Sequence, residues 1–274
     1  MQSSVYPSSP GPLVGQGRTA EVFAWQEPQI LKLFYAWCSP ESVQLEMQKS
    51  RVISTMKLPT PKFIDMVEIE GRMGLVYERV DGVSMLSIIN RRPWLLFRMA
   101  RRLAELHTAI HQQDGTGLPS MRPGLNAAIQ QAASLVKSLP TGVLQRLQEL
   151  PDGGALCHFD FHPDQVLMTA QGPAILDWAT AQQGHPLADV ARTTVLLKVG
   201  QVPYGGRVMQ TIINLWRGQF LETYLSRYFA LHPDLNRNTL TPWLIPVAAG
   251  RMNEGIAGER EALLGVIEAS VAAL

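Results

Sequence analysis

The chain has 274 residues, a hydrophobic fraction of 46%, a charged fraction of 17%, and 24 Lys+Arg against 23 Asp+Glu, a net charge of +1. Such a chain can bury a substantial core in one large domain or two lobes, and it lacks the composition of disordered proteins. With no net field, nucleic acid and anionic membrane surfaces are excluded as expected partners, and specificity must come from a local site. The two cysteines, Cys38 and Cys157, fit neither a disulfide framework nor a metal-ligand spacing, so both are expected as reduced, partly buried thiols.

Residues 1–12 are Ser/Pro-rich without a basic start or an apolar stretch, which predicts a flexible lead-in rather than a secretory signal. No run of 18 apolar residues occurs, and the expected location is the cytoplasm. From residue 13 to about 80, short apolar segments separated by Gly, Glu, Gln and Pro predict an antiparallel meander. It is interrupted by one helix, announced by Ser39 as N-cap with Pro40 in the first turn and stopped by Leu58-Pro59-Thr60-Pro61. Two further strands join in a hairpin at Glu70-Gly71-Arg72.

After Asp81-Gly82 the pattern becomes helical. Residues 84–90 and 93–112 read as helices, the second with Leu96, Met99, Leu103, Leu106 and Ile110 on one face. Amphipathic stretches at 125–138 and 143–150 precede a strand-turn-strand segment at 155–178. From Pro186 onward helices are expected, broken at Gly205-Gly206, His232-Pro233 and Thr241-Pro242. The predicted organisation is a lead-in (1–12), a β-rich lobe with one helix (13–81) and a larger, mainly helical lobe (82–274), an α+β fold in two lobes.

Three groups of residues carry chemistry. Gly15-Gln16-Gly17-Arg18-Thr19-Ala20-Glu21-Val22 matches a phosphate-covering loop with Ala in place of the third glycine. A structural reading, a hairpin turn that needs glycine for itself, stands beside it. Lys32 lies ten residues after Val22 in an apolar strand, placed to reach the α- and β-phosphates, with Glu46 on the following helix as its partner. The most specific segment is His158-Phe159-Asp160-Phe161-His162-Pro163-Asp164-Gln165, followed by Asp177 in Ile175-Leu176-Asp177-Trp178, 17 residues after Asp160. One carboxylate must take the acceptor's proton, and two oxygen donors must hold Mg²⁺ on the nucleotide. Asp160 fits the first role, with His158 orienting its loop, and Gln165 and Asp177 fit the second.

With these motifs the chain resembles the aminoglycoside phosphotransferase/choline kinase family, whose catalytic loop reads H-G-D-x-H-P-x-N and whose metal loop reads I-D-W. The resemblance runs through Leu58-Pro59-Thr60-Pro61, Val76-Tyr77-Glu78-Arg79-Val80 and Gly184-His185-Pro186-Leu187-Ala188-Asp189. It implies that Asp189 braces the catalytic loop and that the backbone of Glu78 and Val80 faces the adenine. It further implies a two-lobed, protein-kinase-like fold, with nucleotide bound by the smaller lobe (13–81) and the catalytic and metal loops and acceptor pocket in the larger (82–274), ATP or GTP as donor, Mg²⁺ as cofactor, and a small hydroxyl-bearing acceptor. Phe159 stands at the family's Gly and Gln165 at its metal-binding Asn. The Gln165 departure keeps open a nucleotide-binding protein without turnover.

A rival reading takes His158, Asp160, His162 and Asp164 as metal ligands of a hydrolase, against which Pro163 interrupts any strand. His107 and His111, four apart on a helix, are expected to be partly exposed. Trp216 and Trp243 are expected in the core, with choline-binding faces as the alternative. Residues 205–274 hold six Arg and six Asp+Glu, which gives no carboxylate surplus for a polycationic acceptor, although Glu254, Glu259 and Glu261 offer candidates.

Overall fold

The computed structural model describes residues 9–135, 142–200 and 207–274. The chain forms two compact units, one comprising the residues up to Val83 together with Val166–Ala179, the other Ser84–Gln165 and Thr180–Leu274. A lead-in ending at residue 12 falls largely outside the described residues, as do the Gly205-Gly206 break and residues 136–138 of the first amphipathic stretch.

The first unit is built on β1 (Leu13–Gln16), β2 (Ala20–Ala24), β3 (Gln29–Phe34), β4 (Phe63–Ile69) and β5 (Arg72–Glu78), in the sheet order β1-β2-β3-β5-β4. Every pairing is antiparallel, as the meander predicts. The β4–β5 turn falls on Glu70 and Gly71, both with positive φ (52° and 76°), the backbone that a two-residue hairpin turn requires. Between β3 and β4 runs α1 (Pro40–Ser54), whose N-cap Ser39 accepts the Ser42 N–H at 3.2 Å.

Strand periodicity then sorts the side chains of β3. Leu31 and Leu33 pack with Trp25, Ile69 and Val76 on one face. Phe34 packs with Ala20, Leu75 and Val43 of α1 on the other. Lys32 alternates with its neighbours and so shares the face that α1 covers. On α1 the buried positions Val43, Glu46, Lys49, Ser50 and Ile53 form the stripe turned to that face.

Two later strands, β8 (Val166–Thr169) and β9 (Gly172–Ile175), pair antiparallel and pack with this unit rather than with their sequence neighbours. Pro59 accepts the Ile175 N–H at 2.7 Å, Thr60 Oγ1 accepts Trp178 Nε1–H at 2.8 Å, and Lys49 Nζ donates to the Ala179 carbonyl at 2.7 Å. The Leu58-Pro59-Thr60-Pro61 segment thus does more than follow a helix. It ties down the strand that ends in Asp177.

At β6 (Val83–Ser84) the chain enters the second unit, which contains α2 (Met85–Arg91), α3 (Leu96–His111), α4 (Met121–Leu135) and α5 (Val143–Glu149). There follow β7 (Ala155–Cys157), its antiparallel partner β10 (Gln182–Gly184), α6 (Pro186–Val199), α7 (Arg207–Leu231), α8 (Arg237–Arg251) and α9 (Arg260–Ala272). The predicted face of α3 is buried, and the helix packs on α7. The expected break at Thr241-Pro242 is absent, because α8 runs through Pro242 and Pro246. A capping box at Asn236 and Thr239 starts the helix ahead of the first proline. Burial of its residues from Trp243 to Arg251 against α4, α6 and α9 outweighs the lost backbone bonds. Cys38 and Cys157 are free thiols, half-buried and buried respectively.

Thr60→Val keeps the side-chain shape but removes the hydroxyl that accepts the buried Trp178 Nε1–H. It is expected to cost about 1–2 kcal/mol of unfolding free energy. Urea denaturation followed by circular dichroism checks this, and an unchanged midpoint would show that the bond does not anchor the β9 end.

Candidate active site

In the first unit, Lys32 Nζ lies 2.6 Å from Glu46 Oε1 and 3.1 Å from Asp177 Oδ1. Burial alone would lower the Lys32 pKa. The Asp177 and Glu46 carboxylates outweigh that and hold the ammonium above its ordinary value. Asp177 follows β9 in a left-handed backbone conformation, φ 55°, and its side chain is 42% exposed. Lys32, Glu46 and Asp177, from three distant stretches of sequence, are thus one cluster.

Gly15 and Gly17 flank the β1–β2 turn, with the Gly17 N–H donating to Ala20 O at 2.8 Å. Neither glycine is required by its surroundings. A Cβ on Gly15 would meet Val22 Cβ at 3.8 Å and one on Gly17 would meet Ala20 O at 3.6 Å, both ordinary contacts, and neither residue has positive φ. The hairpin therefore gives no reason for glycine, in contrast to a loop that a ligand approaches closely. Glu78 ends β5 with its N–H on Lys62 O at 3.0 Å, and half-buried Val80 follows it.

In the second unit, β7 delivers the chain into the loop that carries Asp160. The carboxylate of Asp189, in the first turn of α6 and wholly buried, accepts the backbone N–H of His158 (Oδ2, 2.5 Å) and of Phe159 (Oδ1, 2.9 Å). His158 is fully buried, its Nδ1 accepting the Asp160 N–H at 3.3 Å and its carbonyl accepting Thr180 Oγ1–H at 2.8 Å. His158 is thus enclosed within the loop and contacts the backbone of Asp160. Arg192, one turn after Asp189, donates from Nε to Phe159 O at 3.1 Å, and Thr193 donates to Phe161 O at 2.8 Å.

Asp160 is left accessible at the tip of this braced loop. Around its carboxylate stand His162 Nε2 at 3.8 Å, Arg192 Nη2 at 4.0 Å and Gln165 Nε2 at 3.4 Å. Desolvation would raise its pKa, but His162, Arg192 and His158 prevail and lower it, so it is ionised at neutral pH. Of the alternating residues His158, Asp160, His162 and Asp164, no three form a metal-ligand group. Among the described residues only His107, His111 and Asp189 bring three such atoms within 4.8 Å.

That trio corrects an expectation. His107 and His111 are buried, because they share the α3 face that meets α7. His107 Nε2 lies 3.1 Å and His111 Nε2 3.4 Å from Asp189 Oδ2, and their Nδ1 atoms meet the hydroxyls of Tyr224 and Tyr228 at 2.6 and 2.8 Å. Sequence reading missed Arg192, Tyr224 and Tyr228. Signals existed in the matching spacing of four in His107/His111 and Tyr224/Tyr228, and in the placement of Arg192 three residues after Asp189.

A family model described as "Phosphotransferase enzyme family" matches residues 13–233. The chain belongs to that family. Curated protein sequences give no match. Among solved structures, the chain is similar to a thermostable mutant of aminoglycoside phosphotransferase APH(4)-Ia in ternary complex with AMP-PNP and hygromycin B. The identity is 17%, the TM-score 0.65, and the match covers 95% of this chain and 91% of that one. It is also similar to the type VIII aminoglycoside-3'-phosphotransferase (18%, TM-score 0.61, 89% and 94%). A third is the amicoumacin kinase hAmiN in complex with AMP-PNP, Ca²⁺ and Ami (15%, TM-score 0.58, 94% and 87%). The fold is accordingly the two-lobed, protein-kinase-like one expected from the sequence. No helix among the described residues is long and apolar enough to cross a membrane.

Two predictions follow from the loop and its brace. Phe159, at the family's glycine, has φ 63°, a conformation that costs a side-chain-bearing residue about 1–2 kcal/mol. Its ring is buried, with the Arg192 guanidinium 5.8 Å from its centroid. Deleting a buried Phe costs about 3–5 kcal/mol, so Phe159→Gly is expected to destabilise by a net of about 2 kcal/mol despite relieving strain. Chemical denaturation measures this, and a stabilised variant would mean that backbone strain dominates.

His111 is pushed down to about 3, chiefly by burial and then by His107, against the pull of Asp189. Its folded-state pKa lies below the unfolded one, so the native state loses stability as pH falls from about 6.5 towards 3 and is unaffected above that window. His111→Gln removes this titration while retaining an N–H donor. The slope of unfolding free energy between pH 6.5 and 4.5 should flatten by up to about 1.4 kcal/mol per pH unit, read from urea midpoints at each pH.

Proposed function

We propose that this chain transfers the γ-phosphate of ATP or GTP to a hydroxyl of a small molecule, directly and in line, with Asp160 as the base. The observation that carries the reading is Lys32, held between Glu46 and Asp177 inside an otherwise apolar strand. A part-buried ion pair contributes little to stability, and its ammonium suits a ligand better than it suits the core. An ammonium positioned by two carboxylates suits the α- and β-phosphates of a nucleotide. The glycines of the β1–β2 turn, which their own fold does not require, suit backbone approach to the same phosphates. The nucleotides named in the related structures, and the hydroxyl-bearing antibiotics beside them, support the same class of donor and acceptor.

Asp177 of the first unit and Gln165 of the second would each offer a hard oxygen donor of the kind Mg²⁺ takes. The Gln165 amide nitrogen donates to Asp160, which leaves the amide oxygen free of that contact. Mg²⁺, when bound, would supply charge that neutralises the transferring phosphate. Asp160, ionised and fixed by the Asp189 brace, orients the acceptor hydroxyl and takes its proton as the oxygen attacks the γ-phosphorus, whose bond to the β,γ-bridging oxygen breaks and releases the nucleoside diphosphate. Glu78 and Val80 present backbone to the base. In this reading Lys32 and Asp177 hold the donor, and Asp160 activates the acceptor.

A second reading, nucleotide binding without turnover, is favoured by one contact. Gln165, in place of the family's Asn, reaches Asp160 itself. The two separate as follows. Asp160→Asn should reduce turnover by about 10²–10⁴-fold and leave Mg²⁺–ATP affinity unchanged in calorimetry. Asp177→Ala should abolish the Mg²⁺ dependence of nucleotide binding. Gly17→Ala should leave the melting temperature of the free protein unchanged and weaken the nucleotide-induced shift. Nucleotide binding without phosphorylation of any acceptor would favour the second reading, and an Asp160→Asn variant at full activity would remove Asp160 as base.

A further inference from the structure

Within the second unit a cavity of about 580 Å³ is lined by α2, α6 and α7. This falls in the size range of small-molecule sites. Its wall includes Leu86 and Ile89 of α2, Leu196 of α6, and Ile213, Trp216 and Phe220 of α7. On α7 the lining positions 213, 216, 217 and 220 follow the helical period, so a single face of the helix is turned to the cavity. Trp216, expected in the core, is instead 41% exposed on this face, whereas Trp243 is buried against His185 as expected. The cavity also reaches His162, whose Nε2 stands 3.8 Å from the Asp160 carboxylate. An occupant of this cavity therefore has its end beside the proposed base.

The charges of this cavity decide what fits. Its ionisable lining comprises Arg217, Arg251, His162 and a single carboxylate, Asp164. Of the three candidate counter-charges, Glu261 is exposed on α9 and does not line the cavity, and Glu254 and Glu259 are already paired with arginines. Glu254 pairs with Arg192 and, at 3.0 Å, with Arg251, and buried Glu259 takes two bonds from Arg251 at 2.8 and 2.9 Å. Arg217 donates to the carbonyls of Gly200 and Leu196 at the end of α6, and no carboxylate of a described residue lies within ion-pair distance of it. A polycation entering here would lose its hydration and find a single lining carboxylate, Asp164, because Glu254 and Glu259 are already neutralised by arginines. An apolar body would meet Leu, Ile, Trp and Phe.

We infer that the acceptor is a largely apolar alcohol bearing no cationic charge, its apolar body against α2 and α7 and its hydroxyl towards Asp160. This rests on the phosphotransfer reading for the role of the hydroxyl, and on the cavity alone for the class of compound.

The test is calorimetry on the full chain with ω-hydroxydodecanoate and with kanamycin, each in the presence of Mg²⁺–AMP-PNP, with a separate titration of Mg²⁺–AMP-PNP alone. The expected result is saturable binding of ω-hydroxydodecanoate, weakened about tenfold or more by Trp216→Ala and by Ile213→Asp, with kanamycin binding absent or weaker. Neither variant should alter AMP-PNP binding. The inference is overturned if kanamycin binds more tightly, if ω-hydroxydodecanoate does not bind, or if both variants bind it like the parent. Failure of AMP-PNP to bind, with ω-hydroxydodecanoate still captured, would instead strike the phosphotransfer reading and leave the apolar cavity standing.

Discussion

The buried carboxylate of Asp189 is the constraint on which the catalytic loop depends. An isolated ionised carboxylate in such a place would be prohibitively costly, and Asp189 is stable there because it is surrounded by donors. Two are the backbone N–H groups of His158 and Phe159, and the His107 and His111 rings lie against the same oxygen. These interactions overcome desolvation and hold Asp189 well below the ordinary carboxylate range. The charge in turn fixes the direction of the two peptide groups that precede Asp160. Tyr224 and Tyr228 carry the constraint on to α7, the helix that also walls the apolar cavity. Loop and cavity wall therefore share one buried network, in which each polar group has its place set by the next.

The first unit solves a parallel problem with the opposite sign. Lys32 is a half-buried ammonium, and its two counter-charges come from α1 and from the segment after β9, the strand that Pro59 and Thr60 secure. Because Val166–Ala179 packs with the first unit although it follows Asp160 in sequence, the chain must return to that unit to deliver Asp177. The left-handed backbone of Asp177 is the local cost of turning its carboxylate back towards Lys32.

Much of this was legible in the sequence because the chemistry is local. The Asp160 loop, the Asp177 strand end and the glycine turn are contiguous motifs, and the strand and helix periods that carry Lys32 and Glu46 to a common face are readable one residue at a time. Contacts between distant helices were not. Nothing in the spacing of His107 and His111 reveals that α7 covers them, so exposure was the natural expectation. The same holds for Trp216 and Trp243, two tryptophans on helices whose fates differ only by the face they occupy. Pro242 read as a break because proline's local cost is visible in sequence, whereas the burial of α8 that offsets it is not.

The two departures from the family's catalytic loop share a physical feature, since both put more side chain where the family has less. Phe159 accepts a left-handed backbone that glycine would adopt freely, and its ring packs beneath the Arg192 guanidinium, which itself grips the Phe159 carbonyl. Gln165 carries its amide one methylene further than asparagine would, far enough to meet Asp160. The loop is thus held by side-chain packing as well as by the Asp189 brace, and its accessible carboxylate lies among Gln165, His162 and Arg192. Arg192 is also a partner of Glu254, so the ion-pair network that takes up Glu254 and Glu259 reaches to within 4.0 Å of the proposed base. Glu254 bridges Arg192, which holds the loop, and Arg251, which lines the apolar cavity, so loop and cavity wall are joined by charge as well as by the Asp189 network.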